Sequence, residues 1–498
     1  MAFSHEVGGR ATNSVAGSLY TETSLRVVTA AVLCLALLLG GGTHQGLWSD
    51  AIVQLASLLL LGVLLPVLLR PAFFTHKSDV VAFVLVIGLL PLLQLIPLPP
   101  AMWTLLPGRG DISAAYGAAD RSVPWLPISL DPAATWRSFL ALAPPVAVFL
   151  ATVFSGFRTR RSLSLLIIAA GIVSVLLGLA QLMQGPTSPL RFYPITNPGN
   201  SVGFFANRNH YAALLYSVIP FTTAWIVGLL IGHRIDRIFG LAVAILVYAA
   251  LILGLGMALS RAGIFLAVVA ALASLLLVAT HQQRIARHGF IIIGGAIALG
   301  AVSIIQFALF NLLGRFDDDI LADYRVTIAH TTIEAAKAFQ PFGSGFGTFV
   351  PTYQMFEHID ALEPVFANHA HNDWLELWLE GSWPALAILA TFLLWLAFAS
   401  VRAWQPHHDD ARTLDRAIAQ AGSIVIVLLL MHSAVDYPLH TTALMTLFAF
   451  CCGLLVEPQR LIQQRDPNQN HRPHDEPHLR RGSSFFQSHR NSNGWQRR

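Results

Sequence analysis

The chain has 498 residues, of which only 12% are charged and 55% are hydrophobic, and its mean hydropathy is +0.60. Soluble domains carry about 25% charged residues, so this composition excludes an ordinary soluble protein and indicates a chain solvated by lipid. The formal net charge is +4, and the three cysteines (Cys34, Cys451 and Cys452) lie inside apolar runs. The sequence therefore predicts neither a disulfide framework nor a thiolate metal site.

Twelve apolar runs of membrane-spanning length follow one another along the chain. A helix needs roughly 20 apolar residues to cross the hydrocarbon core of a bilayer. We expect spans at about 25–42, 48–69, 79–97, 135–155, 162–183, 210–231, 238–258, 262–280, 289–312, 378–400, 417–434 and 440–456. The pattern predicts an all-α polytopic membrane protein with a bundle over 25–456. An N-terminal tail over 1–24 and a disordered polar tail over 457–498 flank it.

The basic residues predict how this bundle is oriented. If the N-terminus is cytoplasmic and the helices alternate in direction, about 22 of the 31 basic residues fall in cytoplasmic segments. Every cytoplasmic loop then contains at least two of them, as the positive-inside rule requires. Both termini are therefore expected in the cytoplasm, and the remaining loops are expected on the external face.

Two of the external loops are long. The loop at about 98–134 is rich in proline and has tryptophans near its ends, which suits the membrane interface, and we assign it no chemistry. The loop at about 313–377 holds most of the unusual residues of the chain. Within it, apolar residues recur at helical spacing from 320 to 339 and Pro341 follows. This pattern predicts an amphipathic helix that lies over the bundle and ends before the proline.

Three arginines on the predicted external face are candidates for anion binding. Arg261 stands alone between two apolar runs, and placing it at bilayer depth costs a few kcal/mol unless it faces a polar cavity. An interface arginine whose charge reaches the water is an equally good interpretation. Arg208 and Arg325 lie on the same face, and guanidinium groups bind phosphate through paired hydrogen bonds. A cluster of the three would suit a lipid that bears a diphosphate.

His371 is the best candidate for a general base. A neutral imidazole titrates near the working pH and accepts a proton from a hydroxyl group. The neighbouring Asn372 and Asp373 are expected to fix its tautomer. A single histidine in a loop is more often a solvated or capping residue, so His371 alone does not establish catalysis.

The same segment also resembles part of a metal motif. His369, His371 and Asp373 form the H-x-H-x-D pattern that begins a dinuclear zinc site. That pattern requires another histidine next, where this chain has Trp374, and no second ligand cluster is evident in the sequence. We therefore predict no metal site here.

Two further segments of the large loop invite a ligand-binding interpretation. The three aspartates at 317–319 suit Mg²⁺ on a diphosphate, or they cap the loop helix, where the helix dipole favours negative charge. The glycines at 343–347 do not follow a strand of a βαβ unit, so we expect a flexible turn and no nucleotide site.

Taken together, the external segments resemble the O-antigen ligase and polymerase family. The resemblance covers about 190–390 in motif and the whole chain in topology. It rests on the order N-R-N-H at 207–210, S-R-A-G at 260–263, an arginine helix running into P-F-G-S-G-F-G at 341–347, and A-H-N-D-W at 370–374. D-Y-P-L at 436–439 is similar to exopolysaccharide members of the group. One departure is Gly381-Ser382-Trp383-Pro384, which leaves the start of the local helix in question.

This resemblance implies a GT-C-like fold and a glycosyltransferase that uses neither metal nor cofactor. It implies a place in the bacterial inner membrane with the chemistry on the periplasmic side. The implied donor is an undecaprenyl-diphosphate-linked glycan, and the implied acceptor is a sugar hydroxyl of a glycan or of lipid A-core. No nucleic acid is implied as a partner.

The family's roles carry over to matching positions of this chain. By resemblance, His371 is the base that deprotonates the acceptor, and Arg261 and Arg325 hold the diphosphate as it leaves. Arg208 is a further candidate for diphosphate binding. Supporting residues are Asn209, Asn372, Asp373 and His369.

Ligation and polymerisation remain open alternatives, because the sequence does not distinguish their acceptors. A transporter or flippase for lipid-linked sugar is a hypothesis of another class. It predicts ionisable residues near the middle of the membrane and broken helices, whereas most charges here lie in loops. A structural scaffold would not require the polar cluster at 369–373 beside arginines on one face.

Overall fold

The computed structural model describes residues 8–44, 46–68, 78–194, 196–231, 237–282, 320–359, 367–406 and 412–457, together with positions 295 and 302. Helices make up the regular structure of these ranges, and the only extended pairing among them is an isolated bridge between Leu98 and Leu126. The all-α prediction is confirmed over these ranges.

The bounds of the helices follow the hydropathy of the sequence. In chain order they are α1 (Gly8–Leu39), α2 (Trp48–Leu68), α3 (Ser78–Gln94), α4 (Pro100–Trp103), α5 (Gly110–Ala118), α6 (Pro132–Ala141), α7 (Ala143–Phe154), α8 (Phe157–Gln184), α9 (Arg208–Ile231), α10 (Arg237–Ala258), α11 (Arg261–Thr280), α12 (Ile320–Ala338), α13 (Phe349–Phe356), α14 (Asp373–Trp404), α15 (Thr413–His432) and α16 (Thr442–Leu455). A 3-10 turn, Pro438–His440, precedes α16. Within the described ranges, eight spans are long and apolar enough to cross a membrane, and three shorter apolar helices accompany them. The chain is a multi-pass membrane protein.

Eleven of the twelve predicted spans coincide with helices of the structure. The ninth, 289–312, lies outside the described residues apart from two isolated positions, and so do the aspartates at 317–319 and the tail from 458. Helix α1 begins at Gly8, so it extends into the predicted N-terminal tail. The fourth span consists of α6 and α7, because Pro144 and Pro145 lack the N–H groups that a continuous helix would need there.

Helix α9 lies at the centre of the bundle, in contact with α8, α10, α11 and α15. It is the most deeply buried of the membrane spans that the structure describes. Gly263 allows α11 to approach it closely, since a Cβ at that position would lie 2.4 Å from the Cβ of Ala212. Small residues permit such approach between membrane helices. The contact places the first turn of α11 beside the first turn of α9.

A second hydrophobic cluster, separate from the main core, supports the large loop. It is formed by residues of α12 and the position after it, of α13, of the segment leading into α14 and of α14 itself, namely Ile328, Ala335, Ala336, Phe339, Phe349, Tyr353, Ala367, Ala370 and Leu379. Helix α12 buries this apolar face and exposes Arg325 and Val326 on the other. The amphipathic helix predicted at 320–339 is confirmed as Ile320–Ala338. The cluster ties this helix to the segment that carries His371.

Helix α14 is broken within its span at Ser382, which has φ 45° and ψ −139°. Pro384 has no N–H to bond the carbonyl of Glu380. That carbonyl accepts instead from Gln94 Nε2 at 2.9 Å and from the backbone N–H of Gly345 at 3.0 Å. Non-helical backbone in a membrane protein is tolerated where other protein groups satisfy it, as they do here.

The glycine turn at 343–347 fills this break. Gly343 has φ 82°, and a Cβ there would lie 2.3 Å from the carbonyl oxygen of Glu380. The backbone N–H of Ser344 also donates to the carbonyl of Leu379 at 3.0 Å. The turn predicted at 343–347 is present, and it is hydrogen-bonded to the carbonyls that the broken helix leaves unpaired.

Candidate active site

Three helices that carry sequence motifs begin at the same end of the bundle. Helix α9 begins at Arg208, α11 at Arg261 and α14 at Asp373. Ser260 caps α11 by accepting from the N–H of Gly263 at 3.0 Å. Asn372 caps α14, which settles where that helix starts. The N-terminus of a helix carries unpaired N–H groups and partial positive charge, so this end of the bundle favours anions.

A chain of side-chain hydrogen bonds links these helix ends. Ser260 Oγ donates to Asn209 Oδ1 at 2.8 Å, and Asn209 Nδ2 donates to Asp436 Oδ2 at 2.6 Å. The other oxygen of Asp436 lies 3.2 Å from His371 Nδ1. Four segments that are distant in sequence thus meet around one carboxylate. We call this the Asp436 network; its members are Ser260, Asn209, Asp436 and His371.

The Asp436 network orients the ring of His371. A carboxylate only accepts hydrogen bonds, so in the neutral form of the ring Nδ1 carries the proton and Nε2 has the free lone pair. The His371 side chain is 22% exposed, whereas that of Asp436 is 1% exposed. The ring is therefore anchored from the protein interior and remains accessible to a substrate. This arrangement suits proton transfer at Nε2.

Asp436 is held in its charged form. Burial alone would raise the pKa of this carboxyl group, but the hydrogen bond from His371 and the nearby His210 and His432 lower it by more. The net result is a pKa well below the usual range of an aspartate. Asp436 is therefore a permanent negative charge that can stabilise a positively charged His371.

The backbone is strained at two points beside the network. His371 and Leu259, which precedes Ser260, both have φ 50°. Non-glycine residues in this left-handed region cost about 1–3 kcal/mol each, and such residues occur often at functional sites. The strain is maintained by the caps and hydrogen bonds on either side of each residue.

The three predicted arginines come from separate helices. Arg261 is the first residue of α11 and is exposed, directly after Ser260 of the network. Arg208 directly precedes Asn209, and its guanidinium group donates to Asn200 Oδ1 at 3.2 Å. Arg325 is exposed on α12 and lies near enough to His432 for an electrostatic interaction. The network thus brings Asn209 and His371 together and places Arg208 and Arg261 next to its members.

Asn372 and Asp373 do not fix the tautomer of His371, contrary to expectation, and His369 also bonds another group. The Asn372 side chain accepts from the backbone N–H groups of Trp374 and Leu375, as a helix cap does. Asp373, the first residue of α14, bonds the His440 ring at 2.6 Å and accepts from Ser433 Oγ at 2.5 Å. His369 bonds Glu376. Each side chain is thus committed elsewhere.

Sequence reasoning missed the partner of His371. The motif at 436–439 was noted, but its aspartate received no role. The signal was present, because Asp436 begins an external segment just before the last span. Which carboxylate reaches which ring is decided by the packing of α9, α14 and α15, and the sequence does not contain that information directly.

One family model matches part of the chain. Residues 245–390 match the family model described as O-antigen ligase. The matched region runs from α10 into α14 and contains Arg261, Arg325 and His371, whereas Asn209 and Asp436 lie outside it. No curated protein matches the chain.

The ring of Tyr437 forms the centre of the histidine-rich part of the site. It stacks on His369 with centroids 4.3 Å apart and contacts His210 and His371 at 4.9 and 5.0 Å. Burial and the nearby charge of Asp436 raise the pKa of its hydroxyl to about 12, so the group stays neutral. The ring therefore acts as an uncharged spacer between the histidines.

Replacing Tyr437 by alanine should lower the free energy of unfolding by about 3 kcal/mol or more, because the three rings lose their common contact. Tyr437→Phe, which keeps the ring, should cost about 1 kcal/mol or less. The midpoint of thermal unfolding in detergent measures both, with alanine at the exposed Trp125 as a control. Equal losses for the phenylalanine and alanine variants would mean that the hydroxyl, not the ring, stabilises the site.

Proposed function

We propose that this chain, whose residues 245–390 match the family model described as O-antigen ligase, is a membrane glycosyltransferase that uses an undecaprenyl-diphosphate-linked glycan as its donor. The acceptor is a sugar hydroxyl of a glycan or of lipid A-core, on the periplasmic face of the bacterial inner membrane. The observation that carries the proposal is the Asp436 network, which fixes the His371 ring next to helix ends that bear Arg208 and Arg261.

In the proposed reaction, His371 is the general base. Nε2 accepts the proton of the acceptor hydroxyl as its oxygen bonds to the anomeric carbon of the donor sugar. The bond from that carbon to the diphosphate oxygen breaks, and the lipid diphosphate leaves with the electron pair. Asp436, hydrogen-bonded at Nδ1, stabilises the imidazolium that forms. A base held this way typically contributes a factor of about 10²–10⁴ in rate.

The arginines and helix ends are proposed to bind the diphosphate. Guanidinium groups match phosphate oxygens with paired, charge-assisted hydrogen bonds. Arg261 and Arg325 are the main candidates, with Arg208 as a further one, and the N-termini of α9 and α11 add favourable dipoles. Negative charge on the leaving group grows as the reaction proceeds. Arginine side chains, rather than a metal ion, are proposed to balance it.

Sidedness supports this assignment. The arginines predicted to be cytoplasmic include Arg158 at the start of α8, Arg402 at the end of α14 and Arg416 near the start of α15. Since α14 begins at the network and ends near Arg402, the two sets of residues lie at opposite ends of that helix. We therefore propose that the network faces the periplasm and both termini face the cytoplasm.

A topology measurement tests this orientation. Alkaline phosphatase, which is active only outside the cytoplasm, should be active when fused after Asp120, in the loop between α5 and α6. The same fusion should be inactive after Gln405 or after the C-terminal residue, where a fluorescent-protein fusion should fluoresce. The opposite pattern would place the candidate site in the cytoplasm and would rule out a lipid-linked periplasmic donor.

Loss of catalysis is expected when His371 or Arg261 is replaced by alanine. In a strain that lacks the protein, either variant should restore less than about 1% of the surface polysaccharide that the wild type restores, following the loss of the base or of diphosphate stabilisation. Expression is compared by immunoblot of membranes. His358→Ala and Arg158→Ala, at exposed positions away from the network, are the matched controls. Full restoration by the His371 or Arg261 variant at normal expression would overturn the catalytic assignment.

The lipid-linked glycans that accumulate with the His371→Ala variant distinguish the possible reactions. Single repeat units on the carrier lipid should accumulate if the enzyme is a polymerase. Long chains that remain on the carrier should accumulate if it is a ligase. If repeat units accumulate only on the cytoplasmic leaflet, the protein is a flippase and the transfer proposal fails. Mass spectrometry of extracted lipids measures the pool, and digestion of intact spheroplasts with a glycosidase that does not cross the membrane measures the leaflet.

A further inference from the structure

A second cluster of polar side chains lies beside the Asp436 network. It consists of His369, before α14, Glu376, in the first turns of α14, and His440, in the 3-10 turn before α16. Their nearest ligand atoms all lie within 4.8 Å of one another. Glu376 Oε1 is 2.8 Å from His369 Nδ1 and 3.1 Å from His440 Nε2. We call these residues the 369–376–440 cluster.

Each member of the cluster is held from behind by a second group. His369 Nε2 lies 3.3 Å from the carbonyl oxygen of Thr43, and His440 Nδ1 lies 2.6 Å from Asp373 Oδ1. The outer oxygen of Glu376 accepts from the backbone N–H of Ala370 at 2.9 Å. One nitrogen of each ring and one oxygen of the carboxylate are thereby aimed at a common point. Metal ligands are oriented in this way by carboxylates and backbone carbonyls in their outer shell.

The three inward atoms also form a compact set of ligand types. His369 Nδ1 and His440 Nε2 both face the same carboxylate oxygen, Glu376 Oε1. The centroids of the two imidazole rings lie 4.7 Å apart. Imidazole nitrogens and carboxylate oxygens are ligand atoms that divalent transition-metal ions prefer.

We propose that His369, Glu376 and His440 bind a divalent transition-metal ion of the zinc type. The ligand set of two imidazoles and one carboxylate suits Zn²⁺ or Co²⁺ and leaves a fourth position open to water. With bonds of about 2.0–2.2 Å, tetrahedral ligand atoms lie about 3.3–3.6 Å apart. The two Glu376 contacts, at 2.8 and 3.1 Å, have to lengthen by a few tenths of an ångström, and the two imidazole nitrogens lie within 4.8 Å of one another. The His440 side chain is 31% exposed, which gives the ion a route from solvent.

Such an ion would cross-link three segments of the site. It would join the segment that carries His371 to the first turns of α14 and to the turn that follows Tyr437. The ion would fix the position of the catalytic segment and would take no part in the transfer itself. The proposal concerns binding, so it does not depend on the reaction proposed above.

The chain contains a matched control for this cluster. His330, Glu334 and His358 also place two histidines around one glutamate, at 3.7 and 3.6 Å. Their side chains are 79%, 46% and 73% exposed, and the arrangement is correspondingly wider. Removing a histidine from either trio changes the composition of the chain equally. Of the two trios, the 369–376–440 cluster is the one with two buried members and with further groups that orient its ligand atoms.

Metal binding to the purified full-length protein tests the proposal. The protein is isolated in detergent through a tag without histidines, stripped with a chelator and titrated with Zn²⁺ or Co²⁺. The wild type should bind one tightly held ion per chain by elemental analysis and raise its thermal midpoint. Co²⁺ should give the visible absorption of a four- or five-coordinate site. His440→Gln should weaken binding by about 100-fold or more, whereas His358→Gln should bind like the wild type.

Two further results decide the outcome if His440→Gln does not fold. His440→Cys keeps a ligand atom, and with Co²⁺ it should add the near-ultraviolet charge-transfer band of a thiolate ligand. The number of ions bound per wild-type chain is measured without any variant. A stripped wild type that takes up no ion at micromolar Zn²⁺ would overturn the proposal. So would binding that is lost in His358→Gln and retained in His440→Gln. In either case the proposed transfer reaction would still stand, because it is tested separately by the His371→Ala and Arg261→Ala variants.

Discussion

The buried carboxylate of Asp436 is the group on which the rest of the site depends. It receives hydrogen bonds from Asn209 on α9 and from His371 before α14, and Ser260 joins α11 through Asn209. A fully buried charge without such partners is strongly unfavourable, so these helix ends are held in register with one another. The same contacts that remove the cost of burying Asp436 also orient His371, the proposed base, and lie next to Arg208 and Arg261. The stability of this end of the bundle and the geometry of the proposed site therefore rest on one interaction.

The large loop is fixed by a different device, the break in α14. Pro384 frees the carbonyl of Glu380, and Gln94 and the glycine turn supply the missing donors. The second hydrophobic cluster then connects that turn to α12, which carries Arg325. The large loop is consequently packed against the bundle, in addition to its connections to the two flanking spans. An arginine on such a loop can contribute to a preorganised anion site, because its helix has its own core.

Hydropathy and charge predicted most of the fold but little of the pairing within the site. Spans and the amphipathic helix at Ile320–Ala338 follow from local periodicity, which the bilayer enforces segment by segment. The partner of His371 does not follow from local periodicity, because Asp436 lies 65 positions away along the chain. Asp373 lies only two positions away. Proximity in the sequence favours the nearby carboxylate of Asp373 as the partner of His371. In the structure Asp373 is the first residue of α14, and its side chain bonds Ser433 and His440. Glu376 and His440 were missed for the same reason, since their meeting depends on how α14 packs against the turn before α16.

The short segment at 369–371 contributes one histidine to the Asp436 network and one to the 369–376–440 cluster. His369 and His371 are two residues apart and both contact the Tyr437 ring, yet they bond different carboxylates, Glu376 and Asp436. A general base has to change its charge in every turnover, whereas an anchoring group has to keep one state. The hydroxyl of Tyr437, whose pKa is raised to about 12, stays neutral at neutral pH. Tyr437 therefore keeps an uncharged ring between the proposed base, His371, and the proposed anchoring residue, His369.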